Sequence, residues 1–136
     1  MNKIYLILIS ILLVFSLTDC LNSNGNCDPT MYCQPVPYDS GWVDVRITQN
    51  GSNPTSIIIY NGYLEDRDTI GVYSTLDEEI NFYLPIGNRY ACEAYYSVGL
   101  QTIIALDGGR LRQRSEVNCD ETCYKESNLN LDLRKL

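Results

Sequence analysis

The sequence predicts an all-β protein, an antiparallel β-sandwich of seven to eight strands. Two observations support this fold class. After residue 41, apolar and polar residues alternate along most of the chain, as they do in strands with one buried face. Turn-forming residues interrupt these stretches at intervals of roughly 8 to 12 residues, which is typical of a sandwich. We find no convincing helical pattern and no internal repeat.

The first three strands are predicted in the first half of the domain. Val43, Val45 and Ile47 alternate with polar neighbours and predict a strand with one buried face. Residues 56–60 contain three consecutive isoleucines, which favour a strand covered on both faces. Residues 69–75 predict a third, weaker strand.

The fourth and fifth strands lie on either side of a proline-glycine turn. Residues 80–84 alternate apolar and polar side chains, and residues 85–88 form the turn. Residues 90–96 follow as a strand in which Tyr90 and Cys92 share the inner face. We therefore predict that Cys92 is a buried free thiol that packs as a small apolar group.

The remaining strands are predicted from a glycine pair and a leucine repeat. Residues 102–106 form a strand, and Asp107-Gly108-Gly109 predicts a hairpin turn into residues 110–116. Residues 129–133 alternate leucine with polar residues and predict a terminal strand. The predicted core comprises Val43, Val45, Ile47, Ile57, Ile59, Ile80, Phe82, Leu84, Ile104, Leu106, Leu129, Leu131 and Leu133.

The N-terminal residues 1–19 predict a lipoprotein-type signal peptide. Lys3 gives a positive start, and the apolar run 4–17 is shorter than the about 20 residues that a bilayer-spanning helix needs. The residues Leu17-Thr18-Asp19-Cys20 resemble the lipobox of bacterial lipoproteins, although Asp19 stands where Gly, Ala or Ser is usual. This resemblance implies that Cys20 becomes the lipid-modified N-terminus and anchors an exported protein in the cell envelope, at the outer membrane. Ordinary cleavage without lipid is the alternative.

The remainder of the chain is predicted to be a tether followed by one domain. Residues 20–41 are rich in Asn, Ser, Gly and Pro and show no strand or helix periodicity, which is typical of a linker. Residues 42–136 have the length of one β-sandwich domain.

The segment FYLPIGNRYACEAY, residues 82–95, resembles the strand crossover of transthyretin-like and carboxypeptidase-regulatory-like sandwiches. In these families, a leucine-proline-glycine turn leads to a tyrosine in the next strand. Tyr90 and Cys92 also resemble the tyrosine corner of immunoglobulin-like domains. With its lipobox, the chain resembles small uncharacterised bacterial envelope lipoproteins with such a domain. The resemblance implies an accessory or binding module and leaves the ligand open.

The acidic composition argues against a nucleic-acid partner and against a purely electrostatic contact with a membrane. The net charge is −7, and it is unchanged when residues 1–19 are removed because they contain one cation, Lys3, and one anion, Asp19. Nucleic-acid binding requires Lys and Arg, so we expect no nucleic-acid partner. Contact with the membrane is expected through the N-terminal lipid, since an acidic surface is not attracted to anionic lipids.

Four cysteines are candidates for disulfide bonds: Cys27, Cys33, Cys119 and Cys123. An exported chain meets conditions that oxidise thiols. Local pairs within each short loop are the simplest arrangement, whereas bridges between the two loops restrain more of the unfolded chain. The spacing does not choose between them. Because the chain has no histidine, we favour a structural role for these cysteines over a metal site and expect no cofactor.

The absence of histidine also removes the usual general base for a serine or cysteine nucleophile, so we do not expect an enzyme. Trp42, Tyr83 and Tyr95 are predicted on the strand faces opposite the aliphatic residues, where aromatic rings bind sugars or proteins. Arg110, Arg112 and Arg114 are spaced by two, which predicts that they form a row on one strand face. Such a row either protects a sheet edge from pairing or binds anions. We therefore expect a non-catalytic envelope binding module for a protein or glycan. The alternative is a structural or assembly subunit that adds a strand to a partner.

Overall fold

The computed structural model describes residues 27–135, which form nine β-strands and one short 3-10 helix. The predicted signal peptide, the predicted lipidation site Cys20 and the first part of the predicted tether lie outside the described residues. The elements are β1 (Ser40–Arg46), β2 (Thr55–Asn61), the 3-10 helix η1 (Leu64–Asp66), β3 (Thr69–Thr75), β4 (Glu79–Pro85), β5 (Arg89–Val98), β6 (Gln101–Arg110), β7 (Arg114–Asn118), β8 (Glu121–Lys125) and β9 (Asn128–Asp132).

The strands form two packed sheets and a separate hairpin. One sheet has the order β4-β1-β9, the other has the order β3-β2-β5-β6, and β7 pairs with β8. All these pairings are antiparallel except that of β1 with β9, which is parallel. The all-β sandwich is therefore confirmed. Nine strands replace the predicted seven to eight because the residues around Cys119 and Cys123 form a hairpin of their own.

The core lies between the two sheets and consists mainly of aliphatic residues. Val43 and Val45 of β1 face Ile57 and Ile59 of β2, and all four side chains are fully buried. Burying one such side chain stabilises the fold by roughly 1.5 to 3 kcal/mol. Leu131 closes the core from β9, which confirms the predicted terminal strand.

The crossover between the sheets is closed by Tyr90. Its hydroxyl donates a 2.7 Å hydrogen bond to the carbonyl oxygen of Pro85, while its ring is buried in the core. Gly87 has a φ of +94°, which turns the chain between these two residues. The predicted corner geometry is confirmed. Cys92, two residues farther along the same face of β5, is a buried free thiol.

The predicted hairpin at Asp107-Gly108-Gly109 is wrong, because these residues continue β6. Gly109 pairs with Tyr90 across the ladder between β5 and β6. A Cβ atom on Gly109 would lie 2.6 Å from Cδ1 of Leu129, so glycine here permits close packing against β9. The turn between β5 and β6 lies at Gly99, whose φ is +62°.

The predicted core positions in β6 are also wrong. Ile104 and Leu106 lie on the outer side of the sheet and are about half exposed, at 51% and 55%. Ile103 and Ala105 take the inner side, because they pair with the inward-facing Tyr96 and Ala94 of β5.

The disulfides join the N-terminal segment of the described chain to the β7–β8 hairpin. Cys27 is bonded to Cys119, and Cys33 is bonded to Cys123. Of the two arrangements that the sequence leaves open, the bridges between the two loops are formed and the local pairs are not. Each bridge links residues about 90 positions apart, at separations of 92 and 90.

Hydrogen bonds add to this link between the N-terminal segment and the hairpin. The amide of Asp28 donates to Oδ1 of Asn118 at 2.8 Å, and Nδ2 of Asn118 donates to the carbonyl of Asp28 at 3.0 Å. Gln34 forms an antiparallel bridge with Tyr124 of β8. Residues 27–34, which the sequence assigns to a tether, are thus held on the β7–β8 hairpin, and β1 starts at Ser40.

Candidate functional site

The outer face of the four-stranded sheet combines apolar side chains with one charged group. In the ladder register, Val72 lies beside Ile58, Ile58 beside Glu93, and Glu93 beside Leu106. The next row places Tyr95 beside Ile104. We call this surface the Glu93 face, and it consists of Ile58, Val72, Glu93, Tyr95, Ile104 and Leu106.

Glu93 is buried at the centre of this face, with only 6% of its surface exposed. Its Oε2 atom accepts hydrogen bonds from the hydroxyls of Tyr60 at 2.8 Å and Tyr95 at 2.6 Å. Its Oε1 atom lies 3.3 Å from Nη1 of Arg67, in an ion pair. A carboxylate removed from water requires such partners, and here both of its oxygens have them.

Arg67 reaches Glu93 from the loop that follows η1. Its backbone has a φ of +53°, in the left-handed region, at the end of η1. Its guanidinium also donates to the Tyr60 hydroxyl at 3.2 Å and lies over the Tyr60 ring, 5.8 Å from the centroid. The exposed cation therefore neutralises the buried anion from the solvent side.

The two phenols remain hydrogen-bond donors over a wide pH range. Burial, followed by the hydrogen bond to Glu93, raises the pKa of Tyr60. The hydrogen bond to Glu93, followed by burial, raises the pKa of Tyr95. The arrangement binds the carboxylate rather than presenting it to a substrate.

Strand β6 forms one side of the Glu93 face and is an edge strand. Within residues 27–135, no strand pairs with its outer edge. Natural edge strands are usually protected by charged residues or proline, but residues 102–106 of β6 contain neither. An apolar strand edge is thus combined with the exposed side chains of Ile104 and Leu106.

A cleft of about 740 Å³ runs along β6 on the side of the C-terminal residues. Ile103 and Ala105 contribute apolar atoms to its lining. Lys135, Arg134 and Asp132 also line the cleft, and the last two form an ion pair. Lys135 lies 5.7 Å from the Tyr96 ring centroid, so it is held near the end of the core. The cleft extends the apolar surface of β6 beyond the sheet face.

The structure brings together two of the three predicted aromatic contact residues. Trp42 and Tyr83 are cross-strand neighbours on the outer face of the three-stranded sheet, with ring centroids 4.9 Å apart. Both are partly exposed, and Nε1 of Trp42 donates to Oε1 of Glu126 at 2.9 Å. Tyr95 belongs to the Glu93 face on the other sheet, so the three residues do not form one surface.

The predicted row of arginines is not formed. Arg110 ends β6, Arg112 lies in the loop before β7, and Arg114 begins β7. Between them Leu111 is fully buried, and its amide donates to the carbonyl of Asn88. The strand period of two does not apply here because the chain leaves the sheet after Arg110.

The Glu93 network is a feature that the sequence interpretation missed. The strand pattern places Glu93 opposite the core, and an exposed carboxylate is the ordinary expectation there. One available signal was the position of a single acidic residue within the apolar and aromatic segment 89–98. Arg67 gave no signal, because its contact depends on the fold of the loop after β2.

The chain matches no protein-family profile, no curated protein and no solved structure. In the part of the chain that the structure describes, no helix has the length and hydropathy needed to cross a bilayer. Residues 27–135 contain no group of three or more His, Cys, Asp or Glu side chains placed to hold a metal ion.

Proposed function

We propose that this protein is an exported, lipid-anchored module of the bacterial cell envelope, at the outer membrane, that binds a protein partner without catalysis. Its two disulfides support export, since such bonds persist in oxidising compartments. The lipobox-like residues 17–20 support an anchor at Cys20.

The observation that favours a protein partner is the free apolar edge of β6. An extended segment can add to such an edge by backbone hydrogen bonds, and side-chain contacts then give specificity. Ile104 and Leu106 supply these contacts on the Glu93 face, and Ile103 supplies them on the cleft side. The partner is therefore an extended apolar segment of another protein.

A non-catalytic role is supported by the state of Glu93. Hydrolysis by a pair of carboxylates requires two acidic groups that face one cleft and are free to exchange protons. Glu93 instead accepts hydrogen bonds from two phenols and is paired with an arginine. Asp107 of β6 accepts a hydrogen bond from the amide of Asp132 at 2.8 Å.

The same edge also supports the alternative function, a structural accessory subunit of an envelope complex. In that case the added strand is part of a permanent assembly rather than a reversible contact. Co-purification in a fixed stoichiometry after detergent extraction favours the assembly subunit. Loss of the partner during washing favours the binding module.

Site-specific photo-crosslinking in intact cells tests the proposed contact surface. A photoreactive amino acid at Leu106 is expected to give one discrete adduct that mass spectrometry identifies as a protein. The matched control is Asn130, which is exposed on β9 of the other sheet. Ile104→Lys is expected to abolish the Leu106 adduct, because a charge on the strand edge opposes pairing. Equal crosslinking from both positions, or an adduct that Ile104→Lys does not affect, contradicts this function.

A glycan ligand is the second candidate, and the Trp42–Tyr83 pair favours it. Two partly exposed rings 4.9 Å apart can stack on a sugar ring. Trp42 is the only tryptophan in the chain, so its fluorescence reports on this position alone. Titration with soluble peptidoglycan fragments should change this emission saturably in the original protein and not in Tyr83→Ala. An emission that is constant at all ligand concentrations contradicts glycan binding here.

A further inference from the structure

The β7–β8 hairpin has one charged face and one uncharged face. On the charged face, Lys125 pairs with Glu116 beside the buried Cys123. The opposite face carries Val117 paired with Thr122 and Ser115 paired with Tyr124. Gln34 extends this face through its bridge with Tyr124, and the Tyr32 hydroxyl donates to Gln34 Oε1 at 3.3 Å. We call the surface formed by Tyr32, Gln34, Ser115, Val117, Thr122 and Tyr124 the uncharged hairpin face.

Two apolar side chains project from this face into solvent. Val117 is 71% exposed and Tyr32 is 84% exposed. The acidic residues Asp120 and Glu121 lie at the hairpin turn, outside this face. A surface of this kind is suited to an uncharged or zwitterionic environment and not to a strongly anionic one.

The hairpin face lies within a limited distance of the proposed anchor. Cys27 is bonded to Cys119 at the hairpin turn. Cys20 and Cys27 are separated by seven positions (27 − 20 = 7), and seven residues span at most about 25 Å when fully extended. If Cys20 carries lipid, the hairpin therefore lies no farther than this from the acyl chains.

We propose that the uncharged hairpin face contacts the membrane surface, with Tyr32 and Val117 in the headgroup region of zwitterionic lipids. This inference depends on the proposed lipid anchor at Cys20. Tyrosine is favoured at membrane interfaces because its ring is apolar and its hydroxyl remains hydrated. The contact need only be weak, because the anchor already holds the face at a high local concentration near the lipid. The two disulfides would then set which end of the domain faces the membrane.

Quenching of tryptophan fluorescence by brominated lipid tests this contact on the full lipidated protein. Val117→Trp in a Trp42→Phe background places the only tryptophan on the hairpin face. Val72→Trp in the same background, on the exposed Glu93 face, is the matched control. In vesicles of phosphatidylethanolamine and phosphatidylcholine, bromolipid should reduce the emission of Val117→Trp several-fold more than that of Val72→Trp. Equal quenching at the two positions overturns the proposed contact.

Vesicle flotation separates a failure of this inference from a failure of the proposed anchor. If neither variant floats with vesicles and neither mass includes lipid, the anchor at Cys20 is contradicted. The same pair of variants is then attached to nickel-chelating lipid through a histidine tag placed directly before Leu21. Selective quenching of Val117→Trp in that setting supports the contact without natural lipidation, and equal quenching overturns it.

Discussion

The Tyr60 hydroxyl donates a 2.8 Å hydrogen bond to the Glu93 carboxylate on the face of the four-stranded sheet that points away from the core. Both residues are nonetheless buried, and Arg67 contacts both of them from the solvent side. The stability of the Glu93 face therefore depends on hydrogen bonding as well as on apolar contacts.

Removing the acceptor at the centre of this network should destabilise the domain. Glu93→Ala leaves the buried Tyr60 hydroxyl without its partner, and we expect a loss of about 1 to 3 kcal/mol in the free energy of unfolding. Glu93→Gln retains an acceptor oxygen and should cost less. Urea denaturation measures both, with Glu78→Ala as an exposed control. If Glu93→Ala is as stable as the control, the network contributes nothing to stability.

Burial of Cys92 should make its thiol unreactive in the folded protein. Burial, followed by the charge of Asp107, raises the pKa of Cys92 from 9.0 to about 12. At pH 9 the native thiol stays protonated, and only the thiolate reacts with iodoacetamide. We expect alkylation of Cys92 only after unfolding in urea. Rapid labelling of the native protein at this pH contradicts the buried position.

The same shift predicts a stability change at alkaline pH. Because the folded pKa lies above the unfolded one, the contribution to stability is complete below about pH 9 and falls as the pH rises toward 12. Cys92→Ala removes this titration, so its stability should decline less over that range. Urea midpoints at pH 8 and pH 10.5 compare the two proteins, and parallel declines would contradict the assignment.

Whichever disulfide is removed first, its loss should lower the free energy of unfolding less than the loss of the second one. When one disulfide is removed, the other still links the N-terminal segment to the hairpin. Only the small ring formed by residues 27–33, residues 119–123 and the two bridges is opened, and the free energy of unfolding should fall by roughly 3 kcal/mol. Loss of the second pair opens a loop of about 90 residues and should cost a further ~4 to 5 kcal/mol. Calorimetry of Cys27→Ser/Cys119→Ser, of Cys33→Ser/Cys123→Ser and of the fourfold variant measures this order. If removing the first disulfide lowers the free energy of unfolding more than removing the second, the argument from loop length is contradicted.

The sequence could predict the strands whose apolar residues alternate cleanly, such as Val43 and Val45 in β1. It failed in β6, where adjacent Ile103 and Ile104 fit either face and only the pairing with β5 decides the orientation. The sequence pattern also indicates a turn at Gly108-Gly109. In the structure, glycine at position 109 is instead required because Leu129 packs closely against it. Both errors arise because the deciding contacts come from residues distant in the sequence.

The candidate site was less predictable than the fold for the same reason. Trp42 and Tyr83 are neighbours because β1 pairs with β4, whereas Tyr95 belongs to the other sheet. The disulfide pattern likewise depends on how the N-terminal segment packs on β7–β8. Alternation gives the face of a residue within its strand, but it does not give the sheet to which the strand belongs.

The terminal strand gives a direct test of the predicted core. Leu131 is almost fully buried and Asn130 is exposed on the other side of β9. Leu131→Ala should reduce the free energy of unfolding by about 2 to 5 kcal/mol, because it removes buried apolar contacts and leaves a cavity. Asn130→Ala should change it little. Equal thermal shifts for the two variants would contradict the packing of β9 on the core.

The central claim, export with a lipid anchor and two bridges to the hairpin, is tested most directly by the intact mass of the protein extracted from the membrane fraction without reduction. We predict a chain that begins at Cys20 and carries a diacylglyceryl group. Peptide mapping of the same sample should show the links Cys27–Cys119 and Cys33–Cys123 and one free thiol at Cys92. An unmodified chain cleaved at another position, with no lipid on Cys20, would contradict the account.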